Sequence, residues 1–235
     1  MLLAVRLVLL DLLGVPCRSL LSQRVSERWF NLAIGLSVCS WAVLGMLATG
    51  SASIHAPVRW GIAGLNLLVG LLFLIRRPAK AVGGLRDVLQ ALPALVIAGL
   101  ALKIAPQPVD WSVPAQAVML SGVALAGVSF LWLGRCFAVL PARRGVVKGG
   151  PYRFVRHPAY TGELLMLLGC AMAAGRWPGY ALLAVAVVLV TVRALAEERV
   201  LAVDPDYRDY QRQTRGMLLP GIAIPGLLAR AQDRQ

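Results

Sequence analysis

Long apolar runs separated by short, basic, turn-forming stretches set the pattern of this chain. Residues 30–49 carry no charge and, at about twenty residues, suffice to cross a hydrocarbon core as a helix. Residues 58–75 repeat the pattern after a Gly/Ser/His/Pro connection. Residues 88–105 repeat it again, with Lys103 near the end, where its ammonium can snorkel to the interface. Pro106, Pro108 and Pro114 bracket the next connection. The run over 114–140 would reach roughly 40 Å if helical throughout, so its end, with Arg135, is expected to project beyond the lipid. Residues 158–175 and 178–195 are the fifth and sixth runs. The connection Arg176-Trp177-Pro178-Gly179 between them is tight and predicts an antiparallel hairpin. Ahead of the first run, residues 1–29 hold Arg6, Asp11, Arg18, Arg24, Glu27 and Arg28 and read as an interfacial arm. After the sixth run the chain turns polar, which predicts a water-exposed helix or two around Tyr207 and Tyr210 and then a loose end over 221–235. The predicted fold is all-α and integral to the membrane. It has about six transmembrane helices, a C-terminal helical hairpin and a cytoplasmic tail. The organisation is an arm (1–29), four transmembrane helices (30–140), a polar motif region (141–220) and a tail (221–235).

Composition strengthens this picture. The chain is 58% hydrophobic and 15% charged, with mean hydropathy +0.71, against about 25% charged residues in soluble domains. The formal net charge of +13 would suggest nucleic acid on a soluble protein. Here aromatic residues are only 7% and the basic residues fall between apolar runs, so the partner is membrane lipid and no nucleic acid is expected. Basic residues gather in 15–29, 76–87 and 135–157, while the alternate connections carry little. That alternation predicts six spans with both termini in the cytoplasm. Four cysteines lack any Cys-x-x-Cys spacing and there is no histidine cluster, so neither a disulfide framework nor a metal site is indicated.

One polar strip interrupts the pattern. Residues 148–162 read Lys-Gly-Gly-Pro-Tyr-Arg-Phe-Val-Arg-His-Pro-Ala-Tyr-Thr-Gly. Its glycines and prolines impose a shaped loop. Pro158 suits the first turn of a new helix, which puts His157 at the cap and Tyr160 and Thr161 one turn on. Such a helix start offers backbone N–H groups to a ligand. Tyr152 and Tyr160 suit either this site or an interfacial belt. Glu163 either complements the helix dipole, the favoured reading, or hydrogen-bonds a ligand. Arg143, Arg144 and Lys148 are read as positive-inside charges. Where the sixth run leaves lipid, Arg193 and Glu197 are four apart and share a helical face, while Glu198 points about 100° away. They form either an ordinary ion pair or a fork for an anionic substrate, with Arg193 held by Glu197. The hairpin would bring this exit beside His157 and Tyr160. The residues thus describe a charged, cytoplasm-facing pocket for a small ligand, open sideways to lipid.

At these positions the sequence resembles the isoprenylcysteine carboxyl methyltransferase family of integral membrane enzymes. The matching pieces are Gly150-Pro151-Tyr152, Val155-Arg156-His157-Pro158-Ala159-Tyr160-Thr161-Gly162, Glu197-Glu198-Arg199-Val200-Leu201 and Tyr207-Arg208-Asp209-Tyr210. The resemblance spans residues 130–220 and is shared with phospholipid N-methyltransferases and sterol reductases. Where eukaryotic members have His-Thr before the strip, this chain has Arg144-Gly145. The resemblance implies S-adenosyl-L-methionine as cofactor, lined by Val146, Val147, Tyr152, His157, Pro158, Ala159 and Tyr160. It implies Arg193 and Glu197 at the carboxylate, or a similar oxygen or sulfur nucleophile, of a lipophilic acceptor. The compact length suggests a bacterial protein, which would place this multi-pass chain in the inner membrane. Phospholipid N-methylation is the alternative enzyme reading, and a membrane scaffold or transporter the non-catalytic one.

Overall fold

The computed structural model describes residues 20–47, 56–104 and 111–222. The first part of the predicted arm, the connections around residues 50 and 107, and nearly all of the predicted tail lie outside the described residues. Among the described residues there are seven α-helices: α1 (Leu20–Leu47), α2 (Ala56–Ile75), α3 (Leu85–Ile104), α4 (Val113–Leu133), α5 (Pro158–Ala174), α6 (Trp177–Leu201) and α7 (Pro205–Gln213). Two short strands, β1 (Ala81–Val82) and β2 (Ala142–Arg143), pair antiparallel with Ala81 opposite Arg143.

Each predicted run contains a helix, and two boundaries move for physical reasons. Helix α1 starts well before residue 30, so Glu27 and Arg28 belong to it and not to a separate arm. The Glu27 carboxylate is matched by Arg144, 2.7 Å away, which lets it sit on a packed helix. Helix α4 stops at Leu133 and does not continue to Leu140. Gly134 takes φ 47, a short 3-10 turn follows over Gly134–Cys136, and the chain turns back. Phe137 is thereby driven between Phe73 and Phe130, with ring centroids 5.5 and 5.3 Å away, and is 1% exposed.

Packing does not follow chain order. Helix α1 packs on α2, α2 on α4, and α4 most extensively on α5; α3 packs on α6. The α4–α5 contact is close because glycines face each other: a Cβ on Gly162 would lie 2.7 Å from the Ala126 nitrogen and 2.8 Å from the Gly122 oxygen. Small residues at such contacts let helices approach where lipid gives no hydrophobic push. At the polar end, Arg199 of α6 bridges to Asp87 of α3 at 3.2 Å. The β1–β2 pair there ties the α2–α3 connection to the stretch ahead of the strip.

Three helical stretches, Pro57–Ile75, Val113–Cys136 and Trp177–Leu201, are long and apolar enough to cross a membrane. The apolar helix α5 is shorter, at 17 residues. Large apolar side chains stand exposed on other helices as well, including Trp41, Leu44 and Leu47 on α1 and Leu89 and Val96 on α3. In water such surface would be an association hazard, whereas in lipid it is the contact layer. The apolar helices and their exposed apolar side chains indicate a membrane protein.

Candidate functional site

Three segments meet at one end of α5. The first is the strip itself. It carries a 3-10 turn over Gly150–Arg153, where Gly150 has φ 58 and lies against Trp132, so close that a Cβ would sit 2.4 Å from the indole. A side chain there would meet both backbone strain and a clash. The second segment is the last two turns of α6. The third is a strap over residues 214–218. Its carbonyls accept from the strip: Gly216 from the Arg156 amide at 2.9 Å, Met217 from the His157 amide at 2.9 Å, and Leu218 from the Thr161 hydroxyl at 2.6 Å. Arg156 Nη1 adds bonds to the carbonyls of Thr214 and Arg215. Two amides of the strip are therefore already spoken for by the strap.

His157 stands just ahead of α5, as the spacing predicts, but its ring does not cap the helix. Its Nε2 lies 3.1 Å from Glu198 and its Nδ1 3.9 Å from Glu197. Glu198 is 2% exposed and is a hub: it also meets Arg156 Nε at 2.6 Å and accepts from Gln211 Nε2 at 3.2 Å. A buried carboxylate needs such partners to remain charged. Here they join the strip, α6 and α7 in one network.

Glu197 does other work. It accepts the Tyr160 hydroxyl at 2.6 Å. The Tyr160 ring stacks on the His157 ring, with centroids 5.3 Å apart and planes 6° from parallel, and the Arg193 guanidinium carbon lies 4.6 Å from the Tyr160 centroid. His157, Tyr160, Arg193 and Glu197 are thus brought together at one end of the helices. The predicted Arg193–Glu197 pair is corrected: Arg193 Nη1 meets Glu163 at 3.3 Å and Nη2 donates to the Val139 carbonyl at 2.9 Å. Glu163, read as a dipole partner, is the counter-ion instead. Arg193 Nε is buried without a partner.

A cleft opens among these elements. Its apolar wall includes Val146, Val147, Ala159 and Leu201, and its polar side includes His157, Tyr160, Glu197 and Tyr207. Tyr152 also lines it, packed with Leu201, Tyr207 and Tyr210. Two predicted site residues are not on its wall. Pro158 is fully buried in the first turn of α5, and Arg193 sits behind Tyr160. Two further readings are corrected. Arg144 is no solvated positive-inside charge: it is buried against Glu27. The helix expected in water around Tyr207 and Tyr210 is α7, and both tyrosines are buried. One face of α7 meets water and the other closes the cleft.

Tyr207 is named in the sequence motif, but its place on the cleft was not foreseen. Its hydroxyl is buried with no hydrogen-bond partner, an arrangement that costs about 1–3 kcal/mol if nothing else meets it. Burial first, then the Glu198 and Glu197 carboxylates, push its pKa well above the ordinary phenol value, so it stays a neutral donor. Its only sequence signal was the Tyr-x-x-Tyr spacing, which puts Tyr207 and Tyr210 on one helical face. A cleft with a carboxylate, an unmet hydroxyl and an apolar wall suits a small ligand that has both a polar and an apolar part.

Residues 113–203 match the phospholipid methyltransferase family, which is shared with the isoprenylcysteine carboxyl methyltransferase-like membrane enzymes. The matched stretch runs from the start of α4 to just beyond α6 and takes in the whole strip, His157, Arg193 and both glutamates. It indicates a methyltransferase and bears out the resemblance read from the motifs. No curated protein is similar enough to the chain to match it.

Proposed function

We propose that the chain is an S-adenosyl-L-methionine-dependent methyltransferase that acts on a lipid-like acceptor from within the membrane. The observation that carries this reading is the pairing of Glu197 and Tyr160 on the wall of a cleft whose other polar group, the Tyr207 hydroxyl, is unmet by protein. When bound, the cofactor would supply a methyl group on a positively charged sulfonium to an attacking nucleophile. Glu197 would meet the cofactor's positive end, kept in place by the Tyr160 hydroxyl. Val146, Val147 and Ala159 would cover its apolar ring. Tyr152 and His157 would shape the floor, with His157 oriented by Glu198 and carried on the helix start that Pro158 fixes from behind. Holding donor and acceptor in line is the protein's main task in such a transfer.

Two acceptor classes follow from the same site. A carboxylate is already anionic and needs no base. It would be steered by Arg193, whose Nε has no partner in the protein. An amine must be neutral to attack. One feature favours this second reading: both terminal nitrogens of Arg193 are already engaged by the protein. We propose that α1, α3 and α5 also cross the bilayer, giving six spans, because α1 and α3 expose long apolar side chains and α5 is packed against α4. The basic connections then put the cleft on the cytoplasmic side.

Calorimetry in detergent tests the cofactor without knowledge of the acceptor. S-adenosyl-L-methionine and its demethylated product should both release binding heat. A folded protein giving none would sink the proposal. Transfer of tritiated methyl to phosphatidylethanolamine, to lipophilic acids or to neither then separates the acceptor classes. Arg193→Ala should abolish transfer to acids and spare transfer to amines.

A further inference from the structure

A second cleft lies at the same end of the helices, where α1 meets the end of α2. Its wall includes Arg28, Arg76 and Arg135 together with Glu27, Leu32 and Leu74. We infer that this cleft binds the phosphate of an anionic phospholipid, with the acyl chains lying along Leu32 and Leu74.

Three observations support it. First, the cations are short of counter-charge. The one carboxylate in the cleft, Glu27, is taken by the buried Arg144 at 2.7 Å and also accepts the Ala79 amide at 3.3 Å. Among the described residues no ion pair includes Arg28, Arg76 or Arg135. Second, Arg76 is a built group and not a waving surface charge. Its Nε donates to Asn31 Oδ1 at 2.9 Å, its Nη2 bonds the same oxygen, and its guanidinium sits 4.4 Å over the Phe73 ring. All of these partners are neutral. Burial first, and then the neighbouring Arg144, push the Arg76 pKa down to about 10, against a smaller opposing pull from Glu27. Third, the cleft's other half is greasy and outward-facing. Leu32, Leu74 and the adjoining Ile75 are exposed, which in a membrane chain means turned to lipid. A ligand that satisfies both halves carries a phosphate and hydrocarbon chains together. A free phosphate would use only the polar half. Arginine forks suit phosphate oxygens better than a point charge does.

The cleft is distinct from the proposed methyl-transfer site. The cluster of Leu72, Phe73 and Phe137 is fixed between them, and the turn over Gly134–Cys136 has Arg135 on one cleft and Cys136 on the other. Since Arg135 also accepts the Arg77 amide at 2.7 Å and donates to the Ile75 carbonyl at 3.3 Å, a lipid held there would brace that turn.

The test uses the full chain in detergent and reads thermal stability, with no methyl transfer involved. Added phosphatidylglycerol should raise Tm by about 5 °C, and phosphatidylcholine should not. The rise should vanish in Arg76→Gln. Because that variant can fail to fold, the double variant Arg28→Gln/Arg135→Gln, at two exposed positions, carries the test independently and should lose at least half the shift. Arg212→Gln, an exposed residue on α7, should keep it all. Equal stabilisation by phosphatidylcholine, or a full shift in the double variant, would overturn the inference. An equal shift from inorganic phosphate alone would overturn the lipid assignment.

Discussion

Two pairs of neighbours with nearly identical chemistry have been given opposite duties. Tyr207 and Tyr210 sit one turn apart, yet Tyr210 donates to the Tyr152 carbonyl at 2.6 Å while the Tyr207 hydroxyl has no hydrogen-bond partner among the described residues. Tyr210→Phe should therefore cost about 1 kcal/mol of stability and leave the cofactor affinity nearly unchanged. Tyr207→Phe should leave Tm unchanged or slightly raised and weaken S-adenosyl-L-methionine binding about tenfold, the value of one hydrogen bond to a charged or polar ligand group. Paired calorimetry and melting curves check both, and a weakened cofactor affinity in the Tyr210 variant instead would reverse the assignment. Glu197 and Glu198 divide in the same way. Glu198→Ala strands Arg156, His157 and Gln211 and should lose about 3–5 kcal/mol. Glu197→Gln keeps an acceptor for Tyr160 and should fold normally while cofactor binding collapses. The sequence made all four residues visible but not this division of labour. The angular offset of Glu198 announced a different neighbour, whereas nothing local says that Gln211 and Arg156 would converge on it.

The helices themselves were legible because apolar periodicity and length are local properties. Helix α5 starts at Pro158 and α6 runs through Glu197 as the pattern implies. What was not legible depends on partners distant in the chain. The β1–β2 pairing is only two residues long on each side and has no composition signal. The early end of α4 comes from Phe137 finding a slot between two other rings. The face-to-face meeting of Gly122 and Gly162 is likewise a tertiary fact. Gly162→Ala should force α4 and α5 apart and cost about 1–3 kcal/mol. Because Tyr160 sits on the first turn of α5, the same change should lower methyl transfer more than it lowers Tm predicts. Activity and melting point that fall in proportion would show the glycine to matter for stability alone.

At the scale of the molecule, a buried aromatic cluster locks α7 and the strip onto α6. Burial raises the pKa of Tyr152, Tyr207 and Tyr210 alike, with nearby carboxylates adding to the effect at Tyr152 and Tyr207. In the unfolded chain these phenols ionise near their ordinary value of about 10. In the folded chain they hold their protons, so above that pH the native state binds more protons than the unfolded one and stability falls as pH rises. Melting temperature in detergent should therefore be flat up to about pH 9.5 and decline steeply beyond it, and each single Phe substitution should soften the decline. An unchanged slope in all three variants would exclude the phenols as its cause.

The strap over residues 214–218 has a consequence for biosynthesis. Arg156 waits for a partner carbonyl that lies 58 residues downstream. At the roughly 5–20 residues per second of a working ribosome, several seconds pass between emergence of the two halves. During that interval α5 and α6 can already be inserted, but the loop ahead of them has bare amides and a guanidinium with only Glu198 to hold. Nascent chains arrested short of residue 214 should enter the bilayer yet fail to retain the sulfonium donor, so competence for the ligand is gained only after the hairpin is already in place.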